Sequence, residues 1–361
     1  MKKITIRDIA KIAGVSTTTV SRSINYPHLI RPETLKRIQK AIKKEQYVYD
    51  AVAADLSKRK SKIIGLITPT INLTVFARTT HGIQEWAQEK GYFLIIACSN
   101  FSAQVELDLL KLMEQRRVAG IIIAGLSGGE SSGRVKEYIK YLNMNGTPCV
   151  VTWEIFEDRD INYVGINHFK AGYTMTDYLI KLNHKRIGLI TGPSQRAGRI
   201  EKRLEGYRAA LNNGDIEYDP ALVIERDFSV LNGKEAMKQL ISLPNPPTAV
   251  FANNDVLAIG ALSVARELGL RVPDDISIVG LGDIDFAGEW NPPLTTIRLP
   301  SFEMGNLAIK TLLELIESNP KQGQQFRQYC LDTDLIIRAS ASAVKDTEAL
   351  RSDKTQLGGK I

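Results

Sequence analysis

The chain has 361 residues, 43% hydrophobic and 24% charged, an ordinary soluble composition with length enough for two or three cores. Its charge is uneven: residues 1–62 carry 15 Lys and Arg against 5 Asp and Glu, a net +10, and the remainder is at −3. A basic head on a near-neutral body is the pattern expected when only the head meets phosphates. Three scattered cysteines, Cys98, Cys149 and Cys330, suit neither a disulfide framework nor a metal cluster and read as buried small hydrophobes. No apolar stretch approaches membrane-spanning length, and Met1-Lys2-Lys3 leads into no hydrophobic signal segment. The expectation is a cytoplasmic protein with no membrane partner.

In chain order, Thr5–Ala13 places Ile6, Ile9, Ala10 and Ala13 on one helical face, with Thr5 as cap and Asp8 at the helix start. Gly14-Val15 turns the chain. Ser16 caps a second helix through about Ser23, with Val20 and Ile24 inward and Thr17, Thr18, Ser21 and Arg22 outward. A third helix over about 33–45 buries Leu35, Ile38 and Ile42 and shows Lys36, Arg37, Lys40, Lys43 and Lys44. Three short helices with a tight turn between the first two form a helix-turn-helix, whose second helix enters the major groove. Arg22 suits a bidentate contact to guanine, and the threonines suit base edges. The lysines of the third helix suit phosphates.

The stretch Thr5-Ile-Arg-Asp-Ile-Ala-Lys-Ile-Ala-Gly-Val-Ser-Thr-Thr-Thr-Val-Ser-Arg-Ser-Ile-Asn25, followed by Arg31-Pro-Glu-Thr34, resembles the head of a LacI–GalR transcription regulator. The resemblance continues through Tyr49-Asp50-Ala-Val-Ala-Ala-Asp-Leu56, which is similar to that family's hinge helix. It implies a dimer on two-fold symmetric double-stranded operator DNA, expected to repress. Thr17, Thr18 and Arg22 would be the main base readers, with Ser21 exposed beside them as a further DNA contact, and Leu56 of each protomer a minor-groove wedge. A hinge of seven residues after Asp50 is too short to be helical alone and should order on DNA. Asp50 departs from the family's usual asparagine. The expected domains are a head over 1–49, a hinge and linker over 50–61, a body over 62–343 and a tail over 344–361.

From Lys62 the pattern becomes α/β. Apolar runs at Ile63–Thr68, Phe93–Cys98, Gly120–Ala124, Cys149–Thr152, Arg186–Thr191, Ala221–Ile224, Thr248–Ala252 and Ile276–Gly280 read as strands. Helical segments alternate with most of them: His81–Lys90, Val105–Gln115, Phe169–Leu182, Lys202–Asn212, Gly233–Ile241 and Val256–Leu268. Strands apolar on both faces call for parallel sheets covered by helices. The pattern restarts near Tyr163, so two Rossmann-like lobes are expected, with a ligand between them at the strand C-termini.

The family resemblance extends through about Ser340, on Gly188–Pro193, Arg203–Tyr207, Phe251–Ala261, Val272–Gly280, Pro293–Ile297 and Leu331–Arg338. It implies a periplasmic-binding-protein-type, effector-sensing body in which Thr295–Pro300 and Leu331–Arg338 recross between lobes. Position by position it points to Arg203 as the ligand-gripping guanidinium, Phe228 as a ring for a sugar or base, and Asn254 as a polar strand-end residue. The alternatives are a helix-surface salt bridge for Arg203, a core ring for Phe228 and a turn cap for Asn254.

Departures shape the ligand expected. Gly282 stands where much of the family has a first aspartate, leaving Asp283; Trp153-Glu154 replaces an aspartate; and Val75 and Phe76 are wall candidates in an altered first-lobe loop. Arg199, four residues before Arg203, adds a second guanidinium to the same helix face. Fewer carboxylates and more arginine favour a sugar acid over a neutral sugar. No Gly-x-Gly-x-x-Gly or phosphate-binding loop follows a strand, and the four histidines have no metal-ligand spacing. No enzyme, cofactor or metal is expected.

Overall fold

A computed structural model describes residues 4–47, 61–193, 198–318 and 326–344. Leu56, with most of the expected hinge, and residues 345–361 of the expected tail lie outside the described residues. The chain divides into two compact units, Met1–Ser61 and Lys62–Ile361.

The first unit holds α1 (Ile6–Ala13), α2 (Thr17–Asn25) and α3 (Pro32–Lys44). Asp8 secures the start of α1, its carboxylate accepting from Thr5 N–H at 2.8 Å and Thr5 O–H at 2.6 Å. Gly14 ends that helix at φ 64°, a left-handed conformation glycine adopts without penalty. Ser16 Oγ then accepts from Thr19 N–H at 3.1 Å, capping α2. Ile9, Val20 and Ile38 are fully buried where the three helices meet, with Ala10, Ala13 and Ala41 around them.

The second unit contains two six-stranded sheets. The first has the order β11-β5-β4-β3-β1-β2, all parallel. Its strands are β1 (Ile63–Thr68), β2 (Phe93–Cys98), β3 (Gly120–Ala124), β4 (Cys149–Trp153), β5 (Asn162–Ile166) and β11 (Gln328–Leu331). The second has the order β12-β10-β9-β8-β6-β7, parallel except for the β10–β12 pair. It comprises β6 (Ile187–Thr191), β7 (Val223–Glu225), β8 (Ala249–Ala252), β9 (Ser277–Gly282), β10 (Thr295–Arg298) and β12 (Asp334–Ile336). Helices α4 (Thr74–Glu89), α5 (Ala103–Gln115), α6 (Ser132–Met144) and α11 (Ser301–Glu317) flank the first sheet. The second is flanked by α7 (His168–Lys181), α8 (Gly198–Asn213), α9 (Val230–Ile241) and α10 (Asp255–Glu267). The two-lobed α/β body is therefore present. The chain crosses between lobes three times, after β5, after β10 and after β11.

Two expectations need correction here. Of the cysteines only Cys149 is buried; Cys98 and Cys330 are exposed, because they lie on β2 and β11, the uncovered edges of the first sheet. The run Ala221–Ile224 is not one strand, since Pro220–Leu222 winds as a 3₁₀ turn before β7 begins.

Candidate functional site

On the head, Thr17, Thr18 and Arg22 are exposed on α2 and Ser21 is half-buried. Arg22 has no ion pair among the described residues. The helix thus presents short hydroxyl side chains and one guanidinium on one face, which can donate to and accept from base edges.

In the body, the loops at the strand C-termini surround a cavity of about 40 Å³, lined among the described residues by thirteen side chains, with Leu73, Val75, Phe76, Phe101 and Trp153 from the first lobe. The second lobe supplies Arg199, Ile200, Arg203, Phe228, Asn253, Asn254 and Leu281, and Leu299 lies at a crossing. Seven sequence-derived candidates meet there: Val75, Phe76, Trp153, Arg199, Arg203, Phe228 and Asn254.

Asp283 does not line the cavity. Its carboxylate accepts from Arg298 Nε and from Arg338 Nη2, each at 2.7 Å. Burial raises its pKa, but these two guanidiniums outweigh burial and hold it below the usual carboxylate value. Asp283 therefore ties two strand ends of the second lobe together, and its expected role as a hydroxyl acceptor is withdrawn. Among the described residues no carboxylate is left in the lining.

The two arginines differ in their partners. Arg199, 6% exposed, donates through Nη1 to Glu154 Oε1 at 3.0 Å and to the Leu126 carbonyl at 3.1 Å. Both acceptors belong to the first lobe, so this pair bridges the cleft. Its guanidinium also lies 5.5 Å from the Phe76 ring centre. Arg203, 7% exposed, has only neutral partners: His168 Nδ1 at 3.2 Å, Asn253 Oδ1 at 3.1 Å and the Asn253 carbonyl at 3.3 Å. Burial and then the Arg199 charge push the Arg203 pKa down to about 9, which still leaves it charged at neutral pH. The Glu154 carboxylate, bonded to Arg199, opposes this shift only in part, and a buried cation with no hydrogen-bonded carboxylate is costly unless an anion joins it.

Trp153 is 2% exposed and sits at φ 74°, a conformation unfavourable for a bulky residue. Its indole Nε1–H is buried with no acceptor. Asn254 spends Oδ1 on the α10 cap, accepting from Val256 N–H at 2.6 Å, so its amide N–H₂ remains as donor. Phe228 packs against Gly192, where any side chain would strike the ring. His168 and Asn253 were absent from the sequence-derived set. Their partners stand 15 to 62 positions away along the chain, beyond any local pattern.

Among the described residues no group of three or more His, Cys, Asp or Glu could hold a metal ion. No helix among them is long and apolar enough to cross a membrane.

Comparisons with known proteins bear on both units. Residues 5–50 match the model described as bacterial regulatory proteins, lacI family. Residues 176–341 match the periplasmic binding protein-like domain. The chain is 33% identical over 340 residues to the HTH-type transcriptional repressor PurR of Haemophilus influenzae, covering 94% of this chain and 99% of that protein. It is 34% identical over 342 residues to the HTH-type transcriptional repressor CytR of Escherichia coli K12, covering 94% and 97%. Among solved structures, the lac repressor dimer bound to operator and the anti-inducer ONPF is similar with a TM-score of 0.80 at 26% identity, over 95% of this chain and 100% of that one.

Proposed function

We propose how this chain works from one premise: it belongs to the LacI family of bacterial regulatory proteins and is a sequence-specific DNA-binding transcription regulator, not an enzyme. It acts as a homodimeric repressor on a two-fold symmetric operator and is switched by a sugar acid in the cleft. The repressors among its relatives and the operator-bound dimer of a similar structure support the first part. The exposed β2 edge, with Phe93, Ile95 and Ile96 uncovered, supplies an apolar surface for a second protomer.

Residues 1–49 are the reading head, in which Thr17, Thr18, Ser21 and Arg22 meet base edges. Residues 50–61, of which only Ser61 is described, are the proposed hinge and linker, with Leu56 as the proposed minor-groove contact. Residues 62–343 sense the effector, and 344–361 form a tail.

One observation carries the ligand class: Arg203 is buried in the cavity wall with no hydrogen-bonded carboxylate among the described residues. A carboxylate on the ligand would supply the missing charge through a charge-assisted hydrogen bond from the remaining Arg203 Nη2. The aromatic faces of Phe76 and Phe228 suit the C–H side of a carbon chain or ring, and the Asn254 amide suits its hydroxyls. An aldonate has all three features.

The test is selection of DNA from a random pool by the full chain, followed by operator titration with and without D-gluconate. A two-fold symmetric site whose affinity changes at least about tenfold with the acid is the expected result. Enrichment of asymmetric DNA, or a symmetric site indifferent to every aldonate, would contradict the reading.

A further inference from the structure

His168 is buried immediately after the first lobe crossing, at the first position of α7. It lies outside the cavity lining, yet it touches two residues that do line it. Its Nε2 is 2.7 Å from the Trp153 carbonyl, and its Nδ1 is 3.2 Å from Arg203 Nε. An arginine nitrogen can only donate and a carbonyl can only accept. The ring must therefore carry its proton on Nε2 and offer the Nδ1 lone pair to Arg203.

The helix pair behind it enforces this approach. A Cβ on Gly172, one turn beyond His168, would lie 2.2 Å from the Arg203 carbonyl, and one on Gly206 would lie 2.2 Å from the Phe169 carbonyl. Only two glycines let the α7 and α8 backbones come this close. Burial, then the Arg203 charge, lowers the His168 pKa well below its ordinary value, in agreement with a neutral ring.

Consider what remains free on either side. Arg203 spends Nε on His168 and Nη1 on Asn253, leaving Nη2 with no partner among the described residues. Trp153 has its carbonyl held by His168, its ring edge-on to Phe76 at 6.0 Å, and its indole N–H without an acceptor. Both unsatisfied donors belong to residues that line the cavity, one from each lobe.

We infer that His168 is the positioning residue of the effector site, holding the Arg203 guanidinium and the Trp153 peptide so that Nη2–H and the indole N–H together grip one acceptor-rich group of the ligand. The inference rests on the acidic-effector reading above and adds how the grip is set. His168 itself does not touch the ligand. It joins a first-lobe donor to a second-lobe donor, so the grip exists only when both lobes are in register.

The experiment titrates the full chain with D-gluconate calorimetrically at a temperature where circular dichroism shows every protein folded. Wild type is compared with His168→Gln, which keeps a donor and an acceptor, and His168→Leu, which keeps neither. We expect the Gln variant within about threefold of wild type and the Leu variant weakened by at least roughly tenfold, the scale of one or two lost hydrogen bonds. A folded Leu variant that binds like wild type overturns the inference, as does equal weakening in both variants.

If wild type fails to bind any aldonate, the acidic-effector reading falls, and ¹⁵N spectra of histidine-labelled full chain decide the His168 assignment. The expected signal, absent from His168→Gln, is a neutral Nε2–H tautomer that persists through pH 6. An Nδ1–H tautomer, or protonation at that pH, overturns it.

Discussion

The two lobes of the body share one architecture but contribute opposite chemistry to the cleft. The first offers a mostly apolar wall of Leu73, Val75, Phe76, Phe101 and Trp153. The second offers two guanidiniums, two amides and the Phe228 ring. Bonds that span the cleft are few and specific: Arg199 to Glu154 and Leu126, Arg78 on α4 to Asp283 and Asp285, and Trp153 to Arg203 through His168. A ligand gripped by the second lobe is thus covered by the first, and its charge competes with the chain's own bridges. This asymmetry gives occupancy a way to bias lobe closure, because only differential contact between two states can shift them.

The largest expected effect comes from removing the second lobe's unpaired charge. Arg203→Ala should weaken an aldonate by about 2–4 kcal/mol while changing its neutral parent sugar far less, and Arg203→Lys should lose most of the same energy because the planar fork is gone. Equal losses for acid and sugar in calorimetry would break the contrast between lobes.

On the head, Arg22→Ala should cost roughly 1–3 kcal/mol on the preferred operator and much less on random DNA at the same salt. Uniform loss would make Arg22 a phosphate contact.

A smaller effect of opposite sign tests the first lobe. Glu154→Gln removes the carboxylate bound to Arg199, freeing a second cation for the ligand, so acid binding should tighten by about three- to tenfold. Weaker binding would mean that Glu154 helps to hold the ligand.

The smallest effect is on pH. Burial first, then the Arg203 charge, lowers the His168 pKa well below its ordinary value, and burial lowers that of His184. The unfolded chain takes up these protons near about pH 6.5, while the folded chain refuses them. Their contribution is fully present above that pH and is lost as pH falls below it. Asp255, raised by burial to about 6, tilts the other way. The informative quantity is therefore the difference between wild type and His168→Gln, whose melting temperature should fall less steeply from pH 7 to pH 5. Parallel curves would show that His168 takes up its proton in the fold as readily as in the unfolded chain, contradicting the neutral buried ring.

The strands at Ile63–Thr68, Phe93–Cys98 and Gly120–Ala124 were fully legible, because continuous apolar runs flanked by polar residues leave little alternative. The start of α4 was not. It begins at Thr74 rather than near His81, and the β-branched Thr79 and Thr80 disguise it. Their hydroxyls donate to the Val75 and Phe76 carbonyls at 2.9 Å, one turn back. The pocket was readable where a motif marked the position, as at Arg203, Phe228 and Asn254. It was misread at Asp283, whose partners Arg298 and Arg338 lie 15 and 55 residues away. His168 was passed over for the same reason: its role comes from helix packing through Gly172 and Gly206, which no spacing rule reports.

The central claim is that an anion completes the charge left open at Arg203. Calorimetric titration of the full wild-type chain with D-gluconate and with D-glucose tests it most directly. The account predicts that the acid binds at least about a hundredfold more tightly, in line with charge-assisted hydrogen bonding to a buried guanidinium. Equal affinity for the two, or preference for the neutral sugar, would contradict it.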